Sequence, residues 1–267
     1  MGLILSRSRT NASTKEAKQF KQNQEQNNKL AQARPADNNS SALADTFSKD
    51  TASGVPTKPS ADAPVVCIDP GHPSETSEGA HAHGLSENQL NWQVALKLKS
   101  ELEAMGIRCV MTKSSQNQTV TNRERAEVAN HSHALVMVRL HCDVGSGSGY
   151  TWYYPDRSAT KYGITGPPKE VQEKSHEAVQ VINTAMKPIL TGYLKNNPIK
   201  TDASTYVGGK QGGVLTGSIF ARVPTALIEM CFINQKKDAQ FINSPKGQEL
   251  MAKALAEGIK KYVFTIH

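Results

Sequence analysis

Four polar side chains of this 267-residue chain stand where predicted strands or a predicted helix begin or end. His72 follows the run VVCIDPG, His141 follows ALVMVRL, Glu87 opens a helical stretch, and Glu229 lies within ALIEMCF. Two histidines and one carboxylate are a common ligand set for catalytic zinc, and a further carboxylate nearby can act as a general base. Together the four residues indicate metal-assisted hydrolysis.

Each of these residues also has a purely structural explanation. A histidine in a Pro-Gly turn or at a strand end can simply hydrogen-bond to the backbone, and a glutamate in a first helical turn is favoured by the helix dipole. Glu229 is the strongest candidate, because a carboxylate inside an apolar strand is costly to desolvate without a cation or donor beside it. His81 and His83, in the loop between two of the candidates, could form a second metal site, although exposed loop histidines are commoner.

Short apolar runs alternate with amphipathic helical stretches from Pro64 onward. The predicted strands are PVVCID, GIRCVMT, ALVMVRL, GYTWYY, YVGG…GGVLT and PTALIEM. This alternation predicts a single α/β domain with a twisted, mostly parallel sheet of about six strands and helices on both faces. In such sheets the chemistry lies beyond the carboxyl ends of the strands, where His72, His141 and Glu229 are expected.

Helix boundaries are marked by local sequence features. An apolar stripe predicts a helix from about 87 to 105 that stops at Gly106. Thr121 and Glu124 form the pattern of a capping box. A longer stripe over 171–193 contains Pro188, which should kink it, and Pro245 should start the last helix.

Composition divides the chain into two parts. Residues 1–62 are rich in Asn, Gln, Ser and Ala and are predicted to be a disordered polar spacer, whereas 63–267 are predicted to form the catalytic domain. The chain has a net charge of +7, but its lysines and arginines form no dense block, which argues against nucleic-acid binding. No apolar run approaches the ~20 residues of a membrane span, and the four isolated cysteines indicate neither a thiolate zinc cluster nor a disulfide framework.

The motifs resemble those of the zinc-dependent N-acetylmuramoyl-L-alanine amidases, which are bacterial cell-wall hydrolases with an α/β fold. The resemblance covers about 64–262 and rests on VVCIDPGH, GLSENQLNWQVALKLKSEL, NRERAEVAN, VRLHCD, VPTALIEMCFIN and SPKGQELMAKALAEGIKKY. It implies that His72, Glu87 and His141 hold Zn²⁺ and that Glu229 is the catalytic acid/base. The implied reaction is hydrolysis of the amide between N-acetylmuramic acid and L-alanine of peptidoglycan. The implied location is the cell envelope, periplasmic or secreted, although no signal peptide is visible, and we expect a monomer.

One departure from the family pattern and one short loop carry further expectations. Arg139 stands where a small residue is expected, and it could orient Glu229, bind a substrate carboxylate or form a buried ion pair. Residues 155–169 contain too little apolar chain for the helical insertion that covers the zinc in regulated relatives, so we expect an open site. The alternative functions are a zinc peptidase or amidohydrolase that acts on another amide bond, and a non-catalytic cell-wall binding module.

Overall fold

A central sheet of six strands organises the protein. The computed structural model describes residues 59–60 and 62–265. In chain order the ten strands of all sheets are β1 Val65–Pro70, β2 His81–Ala82, β3 Leu85–Ser86, β4 Arg108–Met111, β5 Val136–Asp143, β6 Thr151–Tyr154, β7 Ala159–Lys161, β8 Ile164–Gly166, β9 Lys200–Thr201 and β10 Thr225–Phe232. The central sheet has the order β4-β1-β5-β10-β6-β9. All its pairings are parallel except that of β6 with β10, which confirms the predicted mostly parallel sheet.

Helices cover both faces of this sheet. They are α1 Glu87–Ala104, α2 Asn122–His131, α3 Lys169–Leu190, α4 Tyr206–Lys210, α5 Thr216–Phe220, α6 Lys236–Asn243 and α7 Pro245–Thr265. Val66 and Ile68 of β1 lie in the larger core with α1, α3 and α7. Cys67, between them, lies in a smaller core with Ala129 of α2 and Met137 of β5. The alternation along β1 therefore packs opposite sides of one strand against different helices.

Most predicted helix boundaries are confirmed. Helix α1 ends at Ala104, and its chain reverses at Gly106, whose φ is +80°. The side chain of Thr121 accepts from the Glu124 amide while the Glu124 carboxylate accepts from the Thr121 amide, so the capping box is present. Pro188 lies inside α3, and α7 begins at Pro245.

The prediction of a strand in YVGG…GGVLT is wrong. The sixth strand of the sheet is instead Lys200–Thr201, and the glycine-rich segment forms the short helix α4 followed by a turn. Gly212 and Gly213 both have φ near +85° (86° and 85°), a left-handed conformation that interrupts an extended ladder. The hydroxyl of Thr205 accepts from the Gly208 amide and caps α4.

Residues 155–168 hold the hairpin of β7 and β8 and no helix, and α3 begins at Lys169. Among the described residues, no helix is both long and apolar enough to cross a membrane. The spacer predicted at 1–62 lies almost wholly outside the described residues, and the boundary between it and the domain stays a prediction.

Candidate metal centre

Three side chains from three different elements converge at the carboxyl edge of the sheet. His72, Glu87 and His141 each offer a ligand atom, and these atoms lie within 4.8 Å of one another. Glu87 Oε1 is 3.3 Å from His72 Nε2 and 2.9 Å from His141 Nδ1. Three ligands of a tetrahedral zinc ion are separated by about 3.4 Å, given metal–ligand bonds of about 2.1 Å. The group is therefore of the right size and donor type to hold such an ion.

His72 is held by the loop that follows β1. Its φ of 62° turns the chain sharply, and its Nδ1 lies 3.2 Å from the Ser77 carbonyl oxygen. Because a carbonyl oxygen only accepts, this contact places the ring hydrogen on Nδ1 and leaves Nε2 to face Glu87. The backbone carbonyl of His72 in turn accepts a hydrogen bond from the Lys113 ammonium.

Glu87 is the buried member of the group and begins α1 directly after β3. Its Oε2 accepts from the Ala80 amide at 2.7 Å, and its Oε1 accepts from the Cys142 amide at 3.1 Å. Burial alone would raise the pKa of Glu87, but the hydrogen bonds to His141 and His72 outweigh it and hold that pKa well below its usual value. Glu87 is thus kept as a carboxylate.

His141 ends the apolar part of β5. Burial lowers its pKa to about 4, against the opposing effect of its hydrogen bond to Glu87. Its Nε2 is buried and has no hydrogen-bond partner among the described residues. A ring kept neutral in this way is in the protonation state that a metal ligand requires.

The donor set fits a cation better than it fits the bare protein. With its hydrogen on Nδ1, a neutral His72 presents the lone pair of Nε2 to the acceptor oxygen Oε1 of Glu87 at 3.3 Å. The approach of two acceptor atoms to this distance is favourable only if a proton or a metal ion lies between them. Burial would lower the pKa of His72, but the hydrogen bond to Glu87 and the charge of Glu87 outweigh it and raise that pKa.

Glu229 lies beside this group on the neighbouring strand. On β10 it is in register with His141 of β5 on one side and with Thr151 of β6 on the other. Its Oε2 is buried without a hydrogen-bond partner in the described part of the chain. Burial, followed by the negative charges of Glu87 and Asp143, raises its pKa well above the usual glutamate value, although Arg139 opposes the shift. A buried carboxyl group with a raised pKa beside a candidate metal site is a candidate general acid or base.

Arg139 makes the buried ion pair that sequence analysis had left as one of three options. Its Nε donates to Asp69 Oδ2 at 3.0 Å, and it makes no hydrogen bond to Glu229 among the described residues. The other carboxylate oxygen of Asp69 accepts from Arg125 and from Thr112, each at 2.6 Å. Asp69 of β1 therefore links β5, α2 and Thr112, the residue that follows β4.

Sequence analysis did not identify Lys113 and Asp69, two buried residues that hold the elements around the site in place. Lys113 is buried and donates to Asn88 Oδ1 at 2.8 Å and to the Gln116 carbonyl at 2.9 Å as well as to His72. Both residues stand at or just after the carboxyl end of a predicted strand. The strand-end rule that selected His72 could therefore have selected them too.

Within the part of the chain that the structure describes, the other histidines and the thiols do not belong to the group. His81 and His83 are exposed, and His83 Nε2 contacts the Asn234 carbonyl oxygen. Cys142 points away from His141 into the larger core, where its Sγ lies 3.8 Å from that of Cys231. The structure therefore assigns these two thiols to packing.

The three converging side chains and Glu229 open onto a cleft of about 650 Å³. Arg139 and Tyr153 belong to its lining, and Tyr206 and Val207 of α4 stand at its border with 77% and 53% of their surface exposed. Of the three aromatic residues of β6, Trp152 lies in the larger core and Tyr153 faces the cleft, as strand alternation requires. The cleft is large enough for a peptide segment.

Known proteins share this sequence pattern and fold. The family profile described as N-acetylmuramoyl-L-alanine amidase matches residues 66–261. The N-acetylmuramoyl-L-alanine amidase Rv3717 of Mycobacterium tuberculosis is 25% identical in an alignment of 223 positions that covers 75% of this chain and 87% of that protein. The sporulation-specific N-acetylmuramoyl-L-alanine amidase of Bacillus subtilis is 32% identical over 124 residues, 45% of each chain.

Solved structures agree with the fold. The apo form of the N-acetylmuramyl-L-alanine amidase Ami1 from Mycobacterium abscessus superposes with a TM-score of 0.62 at 20% identity and covers 74% of this chain and 98% of that one. The amidase AmiC2 of Nostoc punctiforme gives a TM-score of 0.60 at 21% identity, with 75% and 97% covered. The α/β fold of the described residues is thus shared with both of these amidase structures.

Proposed function

This chain belongs to the family of N-acetylmuramoyl-L-alanine amidases, and we propose on that premise that it is a zinc enzyme which cuts peptidoglycan between N-acetylmuramic acid and L-alanine. The observation that carries the proposal is the convergence of His72, Glu87 and His141 beside Glu229 at the floor of one cleft. The products are a glycan strand and a free stem peptide.

His72, Glu87 and His141 would hold the zinc ion. When bound, the ion supplies Lewis-acid chemistry, which polarises the scissile carbonyl and makes water a stronger acid. The donor set of two imidazoles and one carboxylate supports zinc, since a site with three protein ligands keeps a position open for reactants. The hydrogen bond from His72 to Ser77 and those from the Ala80 and Cys142 amides to Glu87 fix the orientation of the ligands.

Glu229 is proposed as the general base and then the general acid. As a carboxylate it takes a proton from the attacking water, and as a carboxylic acid it delivers that proton to the nitrogen of the departing alanine. Its raised pKa supports both roles, because a higher pKa makes the carboxylate a stronger base and makes the protonated acid easier to form. Its register with His141 on the neighbouring strand supports a position beside the scissile bond.

The family's substrate supports a site of action at the cell envelope, in the periplasm or outside the cell. Residues 63–267 would form the catalytic domain and 1–62 a polar spacer, and we propose that the domain acts as a monomer on an extended substrate. The cleft with Tyr206 and Val207 at its border would receive the stem peptide.

The decisive experiment uses the full chain on purified peptidoglycan. We expect about one zinc ion per protein by elemental analysis and, by mass spectrometry, free peptides that begin with L-alanine. Peptides cut at another amide bond would instead support a zinc peptidase or another amidohydrolase. Binding to the wall with no released peptide would support a binding module, and both outcomes would contradict the proposal.

A further inference from the structure

We propose that Arg139 is a specificity-determining residue that binds a carboxylate of the substrate beside the bond that is cut. The proposal rests on the amidase function above and names the part of the stem peptide that the cleft selects. Its basis is the position of Arg139, the unused hydrogen-bonding capacity of its guanidinium group and the local balance of charge.

Arg139 lies on the same side of the sheet as the metal group. It precedes His141 by two residues on β5, so both side chains leave the strand in the same direction, about 6.6 Å apart along it. Both line the cleft together with Glu229. The guanidinium group is therefore part of the floor on which the substrate would lie.

The guanidinium group is fixed in place but only partly satisfied. Nε donates to Asp69 at 3.0 Å and Nη2 donates to Asn122 Oδ1 at 2.8 Å. The remaining nitrogen, Nη1, has no hydrogen-bond partner in the described part of the chain, although only 3% of the residue is exposed. Gly217 covers the group closely, since a Cβ on it would lie 2.9 Å from Cζ. The unpaired edge is thus held ready for an acceptor in the cleft.

The charges around Arg139 do not balance. Asp69 carries one negative charge but pairs with two guanidinium groups, those of Arg125 and Arg139. Asp202 makes no ion pair with Arg139 within the described residues and instead accepts from the Leu215 amide at 3.0 Å. Because arginine stays protonated at any relevant pH, the cluster of Asp69, Arg125 and Arg139 carries one excess positive charge, and the carboxyl groups of Glu87, Asp143 and Glu229 in the same cleft make no ion pair with Arg139. An anion that enters the cleft compensates this positive charge.

A carboxylate on the second residue of the stem peptide has the matching reach. An extended peptide advances about 3.3–3.6 Å per residue, so two residues span about 7 Å from the scissile carbonyl. This is close to the spacing of Arg139 and His141 along β5. A glutamate joined to the chain through its side-chain carboxyl presents a free α-carboxylate at this point. We therefore expect the free acid to be preferred over its amide.

The test compares two muramoyl peptides that differ only in whether the α-carboxylate of the second residue is free or a primary amide. The wild-type, zinc-loaded full chain should cleave the acid with a kcat/KM about 10- to 100-fold higher, the usual range for a charge-assisted hydrogen bond. In Arg139→Gln the ratio should fall to about 1–2, chiefly through the KM of the acid, and in Arg139→Lys it should be partly restored. Arg123→Gln, which alters an exposed arginine of the same region, should keep the wild-type ratio.

Equal cleavage of the two peptides by the wild type would overturn the proposal, and so would an unchanged ratio in Arg139→Gln. The wild-type comparison needs no variant, so it stands even if Arg139→Gln does not fold. If the wild type cleaves neither peptide, the amidase function fails separately. Calorimetric titration of the wild type with the two peptides then decides the anion site, because equal affinities would refute it.

Discussion

The Cα atom of Gly71 lies against the imidazole ring of His141, so close that a Cβ on it would be 2.3 Å from the ring carbon Cε1. No real Cβ is found at such a distance from another atom. Glycine at this position is therefore what allows the His141 ring to lie next to Glu87.

Gly71→Ala should displace the His141 ring and weaken metal binding by at least about tenfold, as is typical when the orientation of a ligand is disturbed. The measurement is a competition titration of zinc against a chromophoric chelator. Gly163→Ala is the control, because that glycine has φ +74° but nothing within 4 Å of an added Cβ. Equal zinc affinity in Gly71→Ala and the wild type would contradict the packing argument.

Glu229→Gln should lower kcat by about 10²–10⁴-fold, because the amide cannot exchange a proton with water or with the leaving amine. Zinc content should stay at the wild-type level, since Glu229 is not among the three converging residues. Peptide release from peptidoglycan and elemental analysis give the two readouts. Glu78→Gln, at an exposed glutamate of the nearby loop, should retain full turnover. Turnover close to that of the wild type in Glu229→Gln would remove Glu229 from the proposed role.

His141→Ala should abolish stable zinc binding, because it leaves only two of the three converging ligand atoms. Metal content after dialysis is the measurement, and activity should fall with it. The matched control is His81→Ala, since His81 is exposed and outside the group. If His141→Ala kept its zinc after dialysis while His81→Ala lost it, the metal centre would have to be reassigned.

Asp69→Asn should destabilise the protein by about 3–5 kcal/mol at pH 7, because two buried guanidinium groups lose their common anion. Burial would raise the pKa of Asp69, but Arg125, Arg139 and Thr112 hold it well below the ordinary value. A carboxyl group whose pKa is lower in the folded state stabilises that state at pH values above its unfolded pKa of about 3.9. This stabilisation is lost as the pH falls toward the pKa of the folded state. The difference between wild type and Asp69→Asn should therefore shrink below about pH 4.

Urea denaturation at pH 7 and at pH 3 measures this difference. Asp62→Asn, at an exposed aspartate, should change the free energy of unfolding little at either pH. If the difference in the free energy of unfolding between wild type and Asp69→Asn were the same at pH 7 and at pH 3, the assignment of Asp69 as the charged partner would be contradicted.

Lys113→Met should weaken zinc binding about tenfold and reduce stability by about 1–3 kcal/mol, because the oxygens of His72 and Asn88 lose their buried donor. Burial lowers the pKa of Lys113 to about 8, so the lysine is still mainly protonated at pH 7. Zinc titration and thermal unfolding are the measurements. Lys99→Met removes a half-exposed i,i+4 pair and should leave zinc affinity unchanged. Identical zinc affinities in the two variants would show that Lys113 does not support the His72 loop.

Local sequence patterns were sufficient for the elements that depend on neighbouring residues. The stripe that begins at Leu90 predicted α1, and the pair Thr121 and Glu124 predicted the start of α2. The segment that follows Thr205 was predicted wrongly as a strand. Its β-branched and aromatic residues favour a strand, but Gly212 and Gly213 have positive φ, which an extended strand does not allow. The short strand Lys200–Thr201 carries no pattern of its own and exists only because β6 lies beside it.

The sequence by itself determined the kinds of side chain available, the alternation of strands and helices, and the family resemblance that links them. Only the tertiary structure decided which groups meet: Glu87 with His141, 54 residues further on, Asp69 with Arg139, 70 residues away, and Gly71 with the His141 ring. The physical reason is that such contacts depend on the order and register of parallel strands. Local periodicity encodes the face of a strand, whereas its neighbours are set by the packing of the whole sheet.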